Sequence, residues 1–433
     1  MYNNFFFKGV SNGIGKNSCS SCGSFTYRLF APHAISFLKG VRKLKKFPNP
    51  LLISALMKTK FIVFFFFYIN TIHASYLFTQ FPALRNSIPH ASLAQLPTPI
   101  THATALKKIF HHNALYIKHD DLTGTQNFYG GNKVRKLEFL LADALQKGAK
   151  KIITYGYTGS NHALATACYA NKLGLESTLM LKPQPNSPVV RQNLLLDHHF
   201  GAQIILFPDN ATRDAARTAL MAQEPNSYFV PTGGSVPLGA LGFVNAVFEL
   251  QEQIRNGVLP EPNAIYVATG SCGTLAGLLL GLQLAQMNTV VHAVTVEPEE
   301  TPGELSRTAQ KLFTETNQLL HACSDAIPLF NFPEDQLRIN KNFEGPAYGE
   351  LIPETHDAMT FMLHHEQLHL DGTYSGKAAA ALLADLANNV HTKDAVILFW
   401  NTYCGTDFSE ITQEVDYKEL PVELHHYFES TEK

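Results

Sequence analysis

Lys151-Ile152-Ile153-Thr154-Tyr155, the loop Gly156-Tyr157-Thr158-Gly159-Ser160, the segment Asn161 to Lys172, and Ser177-Thr178-Leu179-Met180-Leu181 decide the architecture. A β-branched run, a glycine-punctuated loop, an alanine-rich helical segment and a second β-branched run make a strand–helix–strand unit. Such units build parallel sheets. The pattern extends in both directions. Leu115-Tyr116-Ile117 reads as a strand before a helix from Val134 to Gln146, and Gln203–Leu206 as a strand before a helix from Thr212 to Gln223. Ala264–Ala268 precedes a helix that follows Gly273, while Val290–Val296 and Ala395–Phe399 read as further strands. The expected fold is α/β with open parallel sheets. Ligands in such sheets bind at the loops after the carboxyl ends of strands, so the chemistry is sought there.

Composition agrees. The 433 residues are 45% hydrophobic and 16% charged with a net charge of −2, which excludes bulk disorder. The near balance of 34 basic and 36 acidic residues gives nucleic-acid binding no support. Charge is nevertheless segregated. Residues 1–75 hold ten Lys or Arg and no acidic residue, and the first acidic side chain is Asp120. Inside this extension, Met57-Lys58-Thr59-Lys60 leads into the apolar run Phe61–Ile69 and then Thr71-Ile72-His73-Ala74-Ser75. A basic start, a short apolar run and a small residue at a cut point are the parts of a secretory signal. The run is too short for a stable membrane span, which needs about 20 apolar residues. Translation from Met57 is expected, which makes residues 1–56 upstream sequence and leaves the extension 1–75, signal-like from Met57, outside the mature protein; the alternative is a poorly ordered extension with a chance phenylalanine cluster. The six cysteines make no disulfide framework, and the lone pair Cys19/Cys22 is weak evidence for metal or redox work. Unpaired cysteines suit a cytoplasmic protein, with export from Met57 as the alternative.

Three loops carry candidate chemistry. Thr269-Gly270-Ser271-Cys272-Gly273-Thr274 joins a strand to a helix, and its backbone N–H groups suit a phosphate, although an ordinary tight turn has the same residues. It lacks the lysine of a P-loop and the spacing of a dinucleotide fingerprint. Gly130-Gly131-Asn132-Lys133-Val134-Arg135-Lys136 starts a helix, where the dipole and the neighbouring cations Arg135 and Lys136 would lower the Lys133 ammonium and yield a nucleophilic amine. A solvated basic face reads the same way. Ser160-Asn161-His162 opens the next helix as either a carboxylate site or a simple cap. His365-Glu366-Gln367-Leu368-His369 fits the zinc-peptidase pattern HExxH, but Asp371-Gly372 should end the helix that this chemistry needs, and no metal is expected.

Together the lysine segment and Ser160-Asn161-His162 resemble the family of 1-aminocyclopropane-1-carboxylate deaminases and D-cysteine desulfhydrases. The likeness runs from about Leu96 to about Phe408. It implies a pyridoxal 5'-phosphate enzyme of fold type II, the tryptophan-synthase-β type, with two α/β lobes in residues 76–433. The smaller lobe, roughly 155–260, is inserted in the larger. Lys133 matches the lysine that bonds the cofactor, Asn161 the side chain at its phenolic oxygen, and Thr269 to Thr274 the phosphate loop. Ser160, Tyr348 and Tyr374 join Lys133 as implied catalytic residues. Ser375 is placed at the pyridine nitrogen, and Ser160, Asn161, His162 and Thr402 at the substrate. The resemblance also implies a homodimer.

The chain departs from the family's pattern at Tyr157, Gly159, Leu164 and Asn401–Cys404, all on the substrate side. Ser375 and Thr402 follow the desulfhydrases. A neutral hydroxyl leaves the pyridine nitrogen unprotonated where no carboxylate balances it. That favours a good β-leaving group over ring opening. The expected reaction is therefore D-cysteine to pyruvate, sulfide and ammonia. The alternatives are 1-aminocyclopropane-1-carboxylate deamination and a non-catalytic cofactor-binding descendant.

Overall fold

The computed structural model describes residues 75–125, 127–298, 301 and 303–429. Within them the strand–helix alternation builds two sheets. The strands are β1 (Ile100–His102), β2 (Leu115–His119), β3 (Lys151–Tyr157), β4 (Glu176–Lys182), β5 (Gln203–Leu206), β6 (Ser227–Val230), β7 (Ala264–Thr269), β8 (Val290–Thr295), β9 (Leu337–Asn340) and β10 (Ile397–Asn401). One sheet has the order β1-β2-β10-β7-β8-β9, parallel except for β1; the other is β5-β4-β3-β6 and parallel throughout. The second sheet is thus made by chain that leaves the first after β2 and returns at β7. The N-terminal extension, the signal-like segment from Met57 and the Cys19/Cys22 pair lie outside the described residues.

The longer helices are α1 (Asn132–Gln146), α2 (Asn161–Lys172), α3 (Pro188–His199), α4 (Asn210–Gln223), α5 (Pro237–Arg255), α6 (Gly273–Ala285), α7 (Glu304–Cys323), α8 (Pro353–Glu366) and α9 (Ser375–Ala387). No helix of the described residues is long and apolar enough to cross a membrane. Strands β7 and β10 are buried at every residue, as parallel strands covered on both faces must be. Helix α6 packs on α5 closely enough that a Cβ at Gly277 would overlap the Ala240 carbonyl.

The strands that the apolar pattern did not announce are β1, β6 and β9. Each lies at a sheet edge and is at most half buried along most of its length, so it carries little apolar signal. The last strand runs from Ile397 to Asn401, shifted two residues toward the C-terminus from the expected range.

Helix α1 is pinned by charge as well as by its apolar stripe. Arg135 donates to Asp120 at 2.6 and 2.9 Å and to Glu249 on α5 at 2.9 and 3.1 Å, and Lys118 of β2 also pairs with Glu249. All four side chains are sealed from solvent. Burial by itself would raise the Glu249 carboxyl, but Arg135 and Lys118 hold it down at about 2.

Candidate active site

The carboxyl ends of the strands and the following helix starts converge on Lys133. It is the second residue of α1, whose N-cap is Gly131 with φ of 136°. A Cβ on Gly131 would stand 3.0 Å from the Tyr129 ring and 3.1–3.2 Å from the Tyr403 and Thr402 carbonyls, so only glycine fits. The Thr402 carbonyl accepts from the Asn132 amide at 3.2 Å, tying β10's following loop to the lysine helix.

Asn132, which sequence reasoning quoted without a role, joins two parts of the site. Its Oδ1 accepts from Lys133 Nζ at 2.9 Å and its Nδ2 donates to Thr274 Oγ1 at 3.2 Å. The lysine is thereby held beside the Thr269–Thr274 loop. Burial brings the Lys133 amine down to about 8, against the opposing pull of Asp371. The expected cause was the helix dipole and nearby cations. The guanidinium of Arg135 is instead spent on Asp120 and Glu249, and desolvation dominates.

The loop itself is cross-braced by a residue that no local motif singles out. Ser235 Oγ accepts from the Gly273 amide at 3.1 Å and meets Ser271 Oγ at 2.8 Å. Lys136 Nζ reaches the Gly233 carbonyl at 3.0 Å and Ser235 Oγ at 3.5 Å, and burial lowers its amine. Cys272 sits in the left-handed region at φ 62°, its thiol turned to the Gly270 and Leu305 carbonyls at 3.5 Å. Thr269 Oγ1 is buried and has no hydrogen-bond partner, which marks a polar group aimed at something else.

On the opposite wall Tyr374 lies under Lys133, with Nζ 5.3 Å from the ring centroid. Its hydroxyl meets that of Tyr348 at 2.7 Å, and Tyr348 stacks on Tyr157 at 4.4 Å. Burial raises both Tyr348 and Tyr374, so both stay protonated near neutral pH. Ser375 opens α9. Its hydroxyl donates to Asp371 Oδ1 at 2.6 Å and accepts from the Asp371 amide at 2.9 Å. A carboxylate therefore stands one hydrogen bond behind Ser375, where the sequence argument had assumed none.

Ser160 is the N-cap of α2, accepting from the Ala163 amide at 3.2 Å. Asn161 is oriented by Asn193, whose Nδ2 donates to Asn161 Oδ1 at 3.3 Å. His162 turns toward Thr154 at 3.0 Å, and burial, then Lys133 and Lys136, push its imidazolium far down. The five-residue HExxH pattern is split: α8 ends at Glu366, Gln367 takes φ of 55°, and His369 lies off the helix. Two histidines one turn apart on a single helix are not formed there.

These residues suit pyridoxal phosphate. A lysine amine close to neutrality stands beside a serine-, threonine- and glycine-lined helix start. The buried Lys136 amine and an unpartnered hydroxyl lie along that loop. Residues 91–402 match the family described as pyridoxal-phosphate dependent enzyme, and the chain belongs to it. Over 323 residues it is 34% identical to a protein named D-cysteine desulfhydrase from Serratia proteamaculans (strain 568), covering 72% of this chain and 93% of that one. It is likewise 34% identical over 326 residues to a D-cysteine desulfhydrase of Yersinia enterocolitica, covering 72% and 94%. A solved structure titled as an ACC deaminase homologue superimposes with a TM-score of 0.64 at 29% identity, covering 79% of this chain and 99% of that one.

Proposed function

We propose that this enzyme converts D-cysteine and water to pyruvate, hydrogen sulfide and ammonia. The observation that carries the reading is the Lys133 amine, lowered to about 8 and placed between the Tyr374 ring and the Thr269–Thr274 loop. The similarity to proteins named D-cysteine desulfhydrase supports the substrate.

Bound pyridoxal phosphate supplies an electron sink for the negative charge that develops at the substrate α-carbon. The chain supplies the rest. Lys133 would bond the cofactor and, once displaced by the substrate amine, carry a proton on Nζ. Thr269, Gly270, Ser271, Cys272, Gly273 and Thr274 would hold the phosphate, with Ser235 bracing the loop and Lys136 adding positive charge. With Asn161 Oδ1 engaged by Asn193, its Nδ2 would be left to donate to the cofactor's phenolic oxygen. The start of α2, with Ser160, Asn161 and His162, and the Thr402 loop would bind the substrate carboxylate. The Tyr348–Tyr374 hydroxyl pair would give a proton to the departing sulfur. Ser375 would face the pyridine nitrogen, with Asp371 behind it.

The two-lobe division of residues 76–433, a homodimeric assembly and a cytoplasmic location belong to the same reading. The separate four-stranded sheet supports the first. Light scattering of the purified protein tests the dimer; cell fractionation tests the location against export from Met57. The substrate test supplies D-cysteine and 1-aminocyclopropane-1-carboxylate under identical conditions with saturating cofactor. Sulfide and pyruvate should form, with little 2-oxobutanoate. Faster turnover of the cyclopropane substrate would reverse the assignment. A violet absorbance band with neither product would instead mark a binding protein.

A further inference from the structure

A second polar cluster lies at the other end of the large sheet. Strands β7 and β8 pair Tyr266 with His292 in register, near their amino ends, and the two rings stack with centroids 4.5 Å apart. Asp385, in the last turn of α9, and His391, just beyond that helix, close over them. Tyr266 Oη donates to Asp385 Oδ2 at 2.5 Å and stands 2.7 Å from His391 Nε2. His292 Nδ1 is 3.9 Å from Asp385 Oδ2. Ser375 opens the same helix ten residues earlier, so the cluster lies about 15 Å along the helix from the cofactor end.

We propose that His292, Asp385 and His391 bind one divalent transition-metal ion of the zinc type, at a site separate from the cofactor. One ligand atom from each lies within 4.8 Å of the others. Two imidazoles and a carboxylate are the donor set that leaves a zinc ion one open position. Tetrahedral ligation at about 2.0–2.1 Å brings ligand atoms roughly 3.3 Å apart, so the side chains must close in by about an ångström. That movement is available, because all three are only partly buried.

Two neighbours give the site its remaining features. The Tyr266 hydroxyl can keep its bond to Asp385 from outside the coordination sphere and orient the carboxylate, as outer partners of metal ligands do. His292 and His391 both line a cavity of about 630 Å³, which gives an exogenous ligand access to the open position. Arg338, paired in register with His292 on β9, and Lys341 line the same cavity. Their charge weakens the site for a bare cation and favours a small anion or hydroxide as the exogenous ligand.

The test uses the full chain loaded with pyridoxal phosphate, stripped of metal with a chelator and dialysed against zinc chloride. The wild-type protein should retain one zinc ion per chain more than His292→Ala or His391→Ala, with affinity at least tenfold higher. Tyr266→Phe should weaken zinc binding by about 10-fold or more, because it removes the hydroxyl that orients the Asp385 carboxylate. Thermal melting and the visible cofactor band establish that each variant is folded; if an alanine variant does not fold, His292→Gln and His391→Gln replace it. Equal zinc retention by wild type and the folded histidine variants would overturn the proposal, because any bound ion would then lie elsewhere. No retention by wild type would also overturn it and leave a hydrogen-bonded tyrosine–aspartate–histidine cluster.

Discussion

Asp371 and Ser375 share three hydrogen bonds, two of them through the serine hydroxyl, which donates to Oδ1 at 2.6 Å while accepting from the aspartate's own amide at 2.9 Å. The same carboxylate accepts from the Tyr374 and Ser375 amides at 3.0 and 2.9 Å, capping α9. With its proton drawn to Asp371, the hydroxyl of Ser375 offers a lone pair rather than a proton to whatever faces it. Asp371→Asn should weaken this polarisation and shift the visible band of the holoenzyme or its pH dependence. It should cost about 1 kcal/mol through the weakened cap, read as a lower Tm.

The pH at which stripped protein takes up cofactor reports Lys133 directly. A neutral amine is the nucleophile, so uptake should rise with pH through a midpoint near 8 and level off above it. Asp371 favours the ammonium form, so Asp371→Asn should move that midpoint downward. Lys133→Ala should abolish the covalent band. A chromophore that survives denaturation in this variant would place the attachment at another lysine.

The tyrosine pair should behave as one device. Tyr348→Phe and Tyr374→Phe should each lower kcat by about 10² to 10⁴, the range for a positioned proton donor. The double variant should lose little more than either single one, since each removes the same hydroxyl–hydroxyl bond. Fully additive losses would show that the two act separately.

Gly131→Ala tests the entry to α1. The positive φ and the carbonyls of Thr402 and Tyr403 leave no room for a methyl group. Destabilisation of about 1–3 kcal/mol is expected from the strained backbone. Cofactor affinity should fall with it, because the displaced turn carries Lys133.

At the other end of the described chain, Ser75 Oγ and the Leu77 amide both donate to Asn245 Oδ1, at 2.8 and 2.9 Å. A chain shortened to begin near Ser75 should keep this anchor, fold, and bind pyridoxal phosphate with an unchanged Tm. Asn245→Ala should cost about 1–3 kcal/mol by leaving buried donors unmatched. A large Tm loss on shortening would show that the N-terminal extension packs on the enzyme.

Much of the fold was legible because parallel strands and their helices carry dense apolar patterns. Gln203–Leu206 and Asn161–Lys172 match their expected limits. Of the edge strands, β1, β6 and β9 were silent, being short and at most half buried along most of their length. The site was legible where residues follow one another, as at Lys133 and Thr269–Thr274. Asn132, Ser235, Lys136 and Asp371 were not assigned, since their parts depend on contacts across the fold. Ser235 reaches Ser271 across 36 positions, and no local pattern encodes that distance. Asp371 is only four residues from Ser375, yet its meaning depends on which way a hydroxyl turns.

The buried network around Arg135 has a consequence for how the enzyme responds to its medium. Two positions from Lys133, Arg135 is clamped by Asp120 and Glu249 where water does not reach. Ionic strength that dissolves surface pairs acts over a Debye length of about 8–10 Å in water and leaves such a clamp largely untouched. The lysine's placement should therefore tolerate salt far better than it tolerates mutation. Removing either carboxylate would leave the buried cations Arg135 and Lys118 with a single carboxylate between them, at a cost of about 3–5 kcal/mol.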